Sequence, residues 1–540
     1  MKATRLDDAR MRHHIDEGLW AGNLVDDYLT AHATTSPEHV AVIDRGRSWT
    51  YRNLDQNVNR LASALSARGV GHGDVVSWML PNWVEAIVVH LASLRIGAVS
   101  NPIIPIYRSK ETAFILRQAV SKVVVVPQKF RGFDYPAMID EIWPDVRDLE
   151  IVVVVGARAD NNHVRFDDLI NEGRAQDIAR GPRDANDIAL LLYTSGTTSV
   201  PKGVLHSHNT LDYENRSVID FFGLSTSDVV FMPSPVGHII GVLYGIQLPF
   251  MLGSTVVLLD IWRPERALAL IQQHACSFVV AATPFLYGIL HEPTLSDYDI
   301  SSLRVFACGG ADVPPELIKA ATSTLHCMVS RGYGSTEYPT ATGSNESDAL
   351  TKRAHTDGRA LGNADLRLGP DGELQVRGPE LFLGYLDAAL NDDAFSADGW
   401  FRTGDLARID ADGFVEIVGR KKDIIIRGGE NISAKEIEDH LFEHPKISDI
   451  AVVSSPDPVL VERVCAVVVP EPGESITLSE IVVWLTGRQI ARQKLPERLI
   501  LLDALPRNPS GKVQKFTLRA LARENTQSGY QLTATSRSEQ

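Results

Sequence analysis

Between residues 50 and 126 the chain alternates between two hydrophobic patterns. Residues 54–68 carry apolar side chains at helical spacing and stop at Gly69; residues 83–96 do the same and stop at Gly97. Two short apolar runs, 75–80 and 123–126, flank the second of them, and Pro81 closes the first run. The continuous β-branched run 123–126 is what a strand covered on both faces looks like. The texture recurs at 229–232, 255–259, 278–281 and 303–308. It predicts parallel sheets with helices on both faces.

The pattern changes after residue 363. Residues 366–368, the turn Pro370-Asp371-Gly372 and residues 373–377 read as a β-hairpin, and 406–410, Ala411-Asp412-Gly413 and 414–418 repeat it. Asp410-Ala411-Asp412-Gly413 lacks the later glutamate of a calcium loop, so it is read as a turn. From 421 onward an independent pattern predicts a helix over 435–442, strands over 447–453 and 464–469, and a helix over 478–489. The expected architecture is α/β. A large N-terminal domain over 1–420 combines stacked αβα sheets with a small β-rich subdomain. A small mobile α+β domain follows over 421–524, and 525–540 is a polar tail expected to be disordered.

A chain of 540 residues is too long for one ordinary core. Its net charge of -15 argues against non-specific nucleic-acid binding, which needs a basic face. The four cysteines form no C-x-x-C pair, so neither a zinc site nor a disulfide framework is suggested. No apolar run approaches the ~20 residues of a membrane helix. The N-terminus carries no apolar signal segment, which makes the cytoplasm the default compartment.

The candidate chemistry begins after the strand-like residues 188–193. Tyr193-Thr-Ser-Gly-Thr-Thr-Ser-Val-Pro-Lys-Gly-Val204 supplies hydroxyls, two glycines and one lysine, the parts of a loop that wraps phosphates. It is not a Walker A loop, because the lysine precedes the glycine. Four further segments stand out: Tyr333-Gly-Ser-Thr-Glu337, Trp400-Phe-Arg-Thr-Gly-Asp-Leu406, Gly419-Arg-Lys-Lys-Asp423 with Arg427-Gly-Gly-Glu-Asn431, and Pro506-Arg-Asn-Pro-Ser-Gly-Lys512. Together, in this order, the five segments resemble the signature of the adenylate-forming superfamily: acyl-CoA synthetases, luciferases and peptide-synthetase adenylation domains.

The resemblance implies an ATP-dependent acid–CoA ligase that works through an acyl-adenylate, with ATP, Mg²⁺ and coenzyme A as cofactor and cosubstrates. Thr194, Ser195, Gly196, Thr197, Thr198, Lys202 and Gly203 would hold the β- and γ-phosphates. The family's usual loop has Gly where this chain has Ser199. Tyr333 and Gly334 would lie against adenine, Thr336 on the α-phosphate, and Glu337 would be a catalytic residue and the Mg²⁺ ligand. Gly309, Gly310 and Ala311 would allow close approach of adenine or the acyl group. Asp405 would bind the ribose hydroxyls, supported by Arg420. Lys512 would reach from the small domain to the reacting carboxylate, Lys422 would be the hinge, and Gly428 and Gly429 would border the pantetheine channel. The spacing of Pro506, Gly511 and Lys512 also resembles sites where bacterial acetyltransferases silence acyl-CoA synthetases, which names a lysine acetyltransferase acting on Lys512 as a partner. A homodimer is the other assembly considered.

His238, in Pro233-Ser-Pro-Val-Gly-His238-Ile-Ile-Gly241, aligns with the family segment at the acyl pocket and would gate that pocket or touch the carboxylate. Peptide-synthetase domains commonly place Asp at the next position; here it is Ile239, and an apolar pocket does not hold an ammonium cheaply. With Ile240, Val242 and Leu243 as neighbours, the expected acid is apolar, fatty or alicyclic. The chain resembles short- and medium-chain fatty acyl and cyclohexanecarboxylate-type CoA ligases. The alternative is an adenylating enzyme that loads a separate carrier protein; a luciferase-type oxygenase and a non-enzymatic binding module are weaker rivals.

Overall fold

The computed structural model describes residues 8–156, 163–175, 183–194, 201–310, 313–427, 430–508 and 511–528. Two seven-stranded sheets form the large domain. One runs Met328–Arg331, Val305–Cys308, Phe278–Ala281, Val229–Met232, Thr255–Leu258, Val40–Asp44, Arg47–Thr50. The other runs Lys202–Ser207, Ile188–Thr194, Val99–Pro102, Val75–Trp78, Ser121–Pro127, Ile151–Val155, Val164–Arg165. The expectation of parallel sheets holds except at one edge of each. Arg47–Thr50 is antiparallel to Val40–Asp44, and Lys202–Ser207 is antiparallel to Ile188–Thr194. Both exceptions follow from connection length, since a parallel crossover needs a dozen residues or more. Only Arg45 and Gly46 separate the first pair, with φ of 48° and 76°, the double positive φ of a tight hairpin turn.

One continuous apolar core joins the two sheets. It takes Val76, Val125 and Leu190 from one sheet, Val42, Val230 and Val256 from the other, and the helices between them. Among these helices Val84–Arg95 is buried at every position but Glu85, as a helix apolar on all sides should be. Its terminal Arg95 is fully buried and ion-paired with Asp55 at 2.9 Å and Asp26 at 3.5 Å, so the charge is compensated.

Asp365–Leu368, Glu373–Arg377, Phe401–Ile409 and Val415–Arg420 make the expected four-stranded antiparallel subdomain. The third strand begins at Phe401 rather than 406, so Asp405 sits on a strand and not on a turn before one. Residues 410–413 form the expected turn, closed by Gly413 N to Asp410 O at 3.0 Å. The small domain builds a five-stranded sheet from Ile425–Arg427, Glu430–Ile432, Ile447–Asp457, Val461–Pro470 and Arg498–Leu501. Its last helix, Lys515–Ser528, runs past residue 524. Residues 525–528 therefore belong to this helix and not to a polar tail. Leu518 and Ala522 bury one face of the helix against the sheet, and extending a formed helix is cheap. Among the described residues no helix is long and apolar enough to cross a membrane.

Candidate active site

A cavity of about 1240 Å³ opens where strands Ile188–Thr194, Phe278–Ala281, Val305–Cys308 and Met328–Arg331 end, and the small domain covers it. Open α/β sheets bind ligands at the carboxyl ends of their strands. Thr194, Gly309, Tyr333, Asp405 and Arg420 line it from the large domain, and Lys512 from the small one.

Gly309 and Gly310 follow the strand Val305–Cys308. A Cβ on Gly309 would lie 3.1 Å from the Gly332 carbonyl, and Gly310 has a φ of +77° with Ile240 Cδ1 at 3.4 Å from the same hypothetical atom. The glycines thus let two strand ends approach each other. Ala311 lies outside the described residues, as do Ser195, Gly196, Thr197, Thr198, Ser199, Gly428 and Gly429. Lys202 and Gly203, expected within the phosphate loop, instead open the strand Lys202–Ser207. Lys202 pairs with Thr194 and Gly203 with Tyr193. Thr194 and Lys202 are too close in sequence for a parallel crossover, which fits the antiparallel pairing of the two strands. The Lys202 ammonium stands 5.0 Å from the centroid of the Tyr385 ring, and the Tyr385 hydroxyl donates to Glu337 at 2.7 Å. One tyrosine therefore relates the strand-end lysine to the carboxylate.

Residues 333–342 form a tight loop: Tyr333 N donates to Thr342 O at 3.2 Å and Ser335 N to Tyr338 O at 2.9 Å. A Cβ on Gly334 would fall 1.8 Å from the Pro339 carbonyl, so no other residue fits there. The Thr336 carbonyl accepts from His206 Nε2 at 2.8 Å. Burial pushes the His206 imidazole down to about 4, so it is neutral, with the proton on Nε2. His206 thereby anchors the peptide between Thr336 and Glu337.

Asp405 and Arg420 face each other across two adjacent strands. Arg420 Nε lies 3.0 Å from Asp405 Oδ1, and the Tyr333 hydroxyl donates to Oδ2 at 2.7 Å. Burial, then the Asp405 charge, holds that hydroxyl protonated far above a tyrosine's usual range. Lys512 is locked at its backbone, donating from N to Asn508 Oδ1 and accepting from Asn508 N, both at 2.8 Å. Burial and then the Arg420 charge push its amine down to about 7. Burial and Arg420 lower Lys422 to about 8, while its neighbour Lys421 reaches Asp371 at 2.5 Å.

His238 caps the helix Ile239–Ile246, its Nδ1 accepting weakly from Ile240 N at 3.4 Å, and it also lines the cavity. Burial and the Lys512 charge push it down to about 4, so it is a neutral imidazole. Ile239 and Ile240 line the cavity as expected. Val242 and Leu243 do not, since the helix turns them into the core. Among the described residues no group of three or more His, Cys, Asp or Glu could cage a metal. Glu337 alone suits Mg²⁺, which commonly takes one or two carboxylates and completes its shell with water and phosphate oxygens. Tyr385 and His206 were not picked out by the motifs. A lone tyrosine after Gly384 and a lone histidine on a strand carry no signal until the fold sets them against Glu337 and Thr336.

A doubly layered α/β domain, a covering small domain and a cavity lined by Tyr333, Asp405 and Lys512 define a nucleotide-dependent acid-activating enzyme. Residues 29–386 match the AMP-binding enzyme family and residues 436–512 its C-terminal domain. The chain belongs to this adenylate-forming family and is an AMP-forming acid–CoA ligase. It is 36% identical to the medium-chain fatty-acid–CoA ligase of Escherichia coli (strain K12), over 96% of this chain and 94% of that one. It is 32% identical to a salicylyl-CoA synthase / salicylate adenylyltransferase of a Streptomyces species, over 94% and 95%. Among solved structures, ATP-bound MatB from Rhodopseudomonas palustris superposes with a TM-score of 0.84 at 28% identity, covering 92% of this chain and 99% of that one.

Proposed function

We propose that this enzyme activates an apolar carboxylic acid, a medium-length fatty acid or an alicyclic one, with ATP and passes the acyl group to coenzyme A. The observation that carries the reading is the convergence of Lys512, Asp405, Arg420 and Tyr333 on a cavity with an apolar arm. That arm is lined by Val218, Phe222, Ile239, Ile240 and Leu361. The E. coli relative, named for medium-chain fatty acids, supports the acid class. Ile239 supports it too, because nothing there would pair with an ammonium.

In the first step a carboxylate oxygen of the acid attacks the α-phosphorus of ATP. The bond to the bridging oxygen breaks, and pyrophosphate leaves with that electron pair. Lys512, protonated, meets the negative charge that develops on the reacting oxygens. Asp405 accepts from the ribose hydroxyls while Arg420 holds it in place, and Thr336 donates to the α-phosphate from a peptide that His206 anchors. Glu337 would hold Mg²⁺, whose charge offsets that of the phosphates when bound. Neutral His238 borders the carboxylate without adding a competing charge. In the second step the thiol of coenzyme A gives its proton to solvent and its sulfur attacks the acyl carbon; the bond from that carbon to the adenylate oxygen breaks, and AMP departs with the electron pair. The small domain, residues 421–524 with the helix end to 528, turns about Lys422 to admit the thiol.

The test is a panel of short, medium and alicyclic acids with ATP, Mg²⁺ and coenzyme A, followed by mass detection of AMP and acyl-CoA. Thioester on medium-length or alicyclic acids is expected. Acyl-adenylate without thioester would replace coenzyme A by a carrier protein as acceptor, and no nucleotide turnover with any acid would overturn the reading.

A further inference from the structure

Two helices wall the apolar arm of the cavity. On His208–Phe222 the lining residues are Phe222 and, one turn earlier, Val218. One more turn back on the same face stands Glu214. On Ile239–Ile246 the lining residues are Ile239, Ile240 and, one turn after Ile240, Tyr244, where the lining stops. Where both linings end, the two helices are tied together. The Tyr244 hydroxyl donates to Glu214 Oε1 at 2.5 Å, and Thr340 Oγ1 lies 2.5 Å from the same hydroxyl. The tyrosine's one proton goes to Glu214, so Thr340 is the donor on its other side. His238, beside Lys512 at the reacting end, precedes Tyr244 by six residues. At 1.5 Å per residue that separates them by about 9 Å along the helix.

Resting on the acid-activating function proposed above, we propose that the Tyr244 ring, pinned by Glu214 and Thr340, is the end wall of the acyl pocket. It sets the longest acid the enzyme activates well, and Glu214 is the residue that positions it.

The tie is built into the core. Glu214 is fully buried, and burial pushes its carboxyl up to about 7. A carboxyl in such a place costs stability unless its hydrogen bonds are made. A second fully buried carboxyl, Glu380, accepts from the Tyr338 hydroxyl. Tyr338 and Thr340 both follow Glu337 in the nucleotide loop. The end wall is thus braced against the loop that carries Thr336 and Glu337, and a ring held on two sides cannot swing aside to lengthen the pocket.

The experiment measures kcat/KM of the full-length enzyme for butanoate, octanoate, dodecanoate and hexadecanoate. It compares wild type with Tyr244→Ala, Tyr244→Leu, Glu214→Leu and Glu214→Gln, with folding checked by thermal melting. Tyr244→Ala and Tyr244→Leu are expected to raise the dodecanoate-to-octanoate ratio at least about tenfold, the discrimination that one or two methylenes supply in an apolar pocket. Glu214→Leu frees the ring and raises the ratio by a smaller factor. Glu214→Gln keeps an acceptor for Tyr244 and restores the wild-type ratio, which a residue needed only for folding would not do. A folded Tyr244 variant that activates octanoate with an unchanged ratio overturns the proposal. Should Tyr244→Ala not fold, the ratios of Tyr244→Leu and Glu214→Leu decide in its place, a rise supporting the end wall and no change overturning it. Wild-type turnover of none of the acids would instead strike at the acid-activating function itself.

Discussion

Lys512 ties the site's electrostatics to a measurable rate. Burial and then Arg420 bring its amine down to about 7, while Asp405 and Asp423 pull the other way. An amine that must carry charge to act is competent only in its protonated fraction. That fraction falls about tenfold per pH unit above 7. kcat/KM for ATP reports the free enzyme, so it should fall along this limb, whereas kcat reports the complex. Bound triphosphate raises the lysine's pKa, so the limb in kcat should lie at higher pH. Lys512→Arg keeps its charge throughout, and it should be slower at neutral pH but free of the limb. Lys512→Ala should lose about 10²–10³-fold in adenylation at every pH, the usual cost of one preorganised group on developing charge. The assay is exchange of labelled pyrophosphate into ATP, at low and at saturating ATP, from about pH 6 to about pH 9. Stability moves the opposite way. The folded pKa lies below that of a free lysine, so the unfolded chain binds more protons between about pH 7 and the ordinary 10.5. Lys512's contribution to stability therefore rises with pH across that window. Activity lost above pH 7 through Lys512 is thus not unfolding, and a thermal melt at each pH separates the two. A kcat/KM limb that survives in Lys512→Arg, or a wild-type kcat/KM that shows no limb up to about pH 9, refutes the reasoning.

Asn82 should be a large structural loss. Its Nδ2 donates to Met232 O at 3.2 Å, Ser234 O at 2.8 Å and Leu259 O at 3.0 Å, and its Oδ1 accepts from Val236 N at 2.9 Å, just before His238. Asn82→Ala removes the side-chain partner of Val236 N and of the Ser234 and Leu259 carbonyls, while Met232 O keeps the Leu259 N–H at 3.2 Å, so urea unfolding should show a loss of at least about 3 kcal/mol; a loss under about 1 kcal/mol would mean the segment relaxes freely. Burial pushes the thiols of Cys276, Cys308, Cys327 and Cys465 up to about 12, so a thiol reagent near neutral pH should label none in the native protein and all four in denaturant. Fast native labelling would contradict the burial of at least one of them. Tyr333→Phe removes a donor to the Asp405 carboxylate and should raise KM for ATP about tenfold, the worth of a hydrogen bond to a charged group; an unchanged KM would detach Tyr333 from ribose binding.

The two ends of the site differ in how well the sequence exposes them, and the reason is physical. At the nucleotide end the cavity is shaped by close backbone approaches and lined by charged side chains of both signs. Such sites need glycines where a Cβ would collide, as at Gly334 against the Pro339 carbonyl, and they need named ions. Tyr333, Asp405, Arg420 and Lys512 are therefore visible as motifs although they lie far apart in the chain, and the fold brings them to one cavity. The strands were legible for a similar reason, as continuous β-branched runs such as 123–126, while the antiparallel edges depended on connection lengths that hydrophobic pattern does not weigh. The acyl end works the other way. Helix His208–Phe222 buries Asn209, Asp212, Glu214, Asn215 and Ser217, residues whose polarity points toward solvent when read along the chain. They are inside because other segments supply partners: Tyr28 for Asp212, Gln247 for Asn215 and Tyr244 for Glu214. A buried polar group is tolerated only when such a partner arrives from elsewhere in the fold. Its meaning is therefore tertiary, and the proposed end wall of the acyl pocket lies where local pattern is least informative.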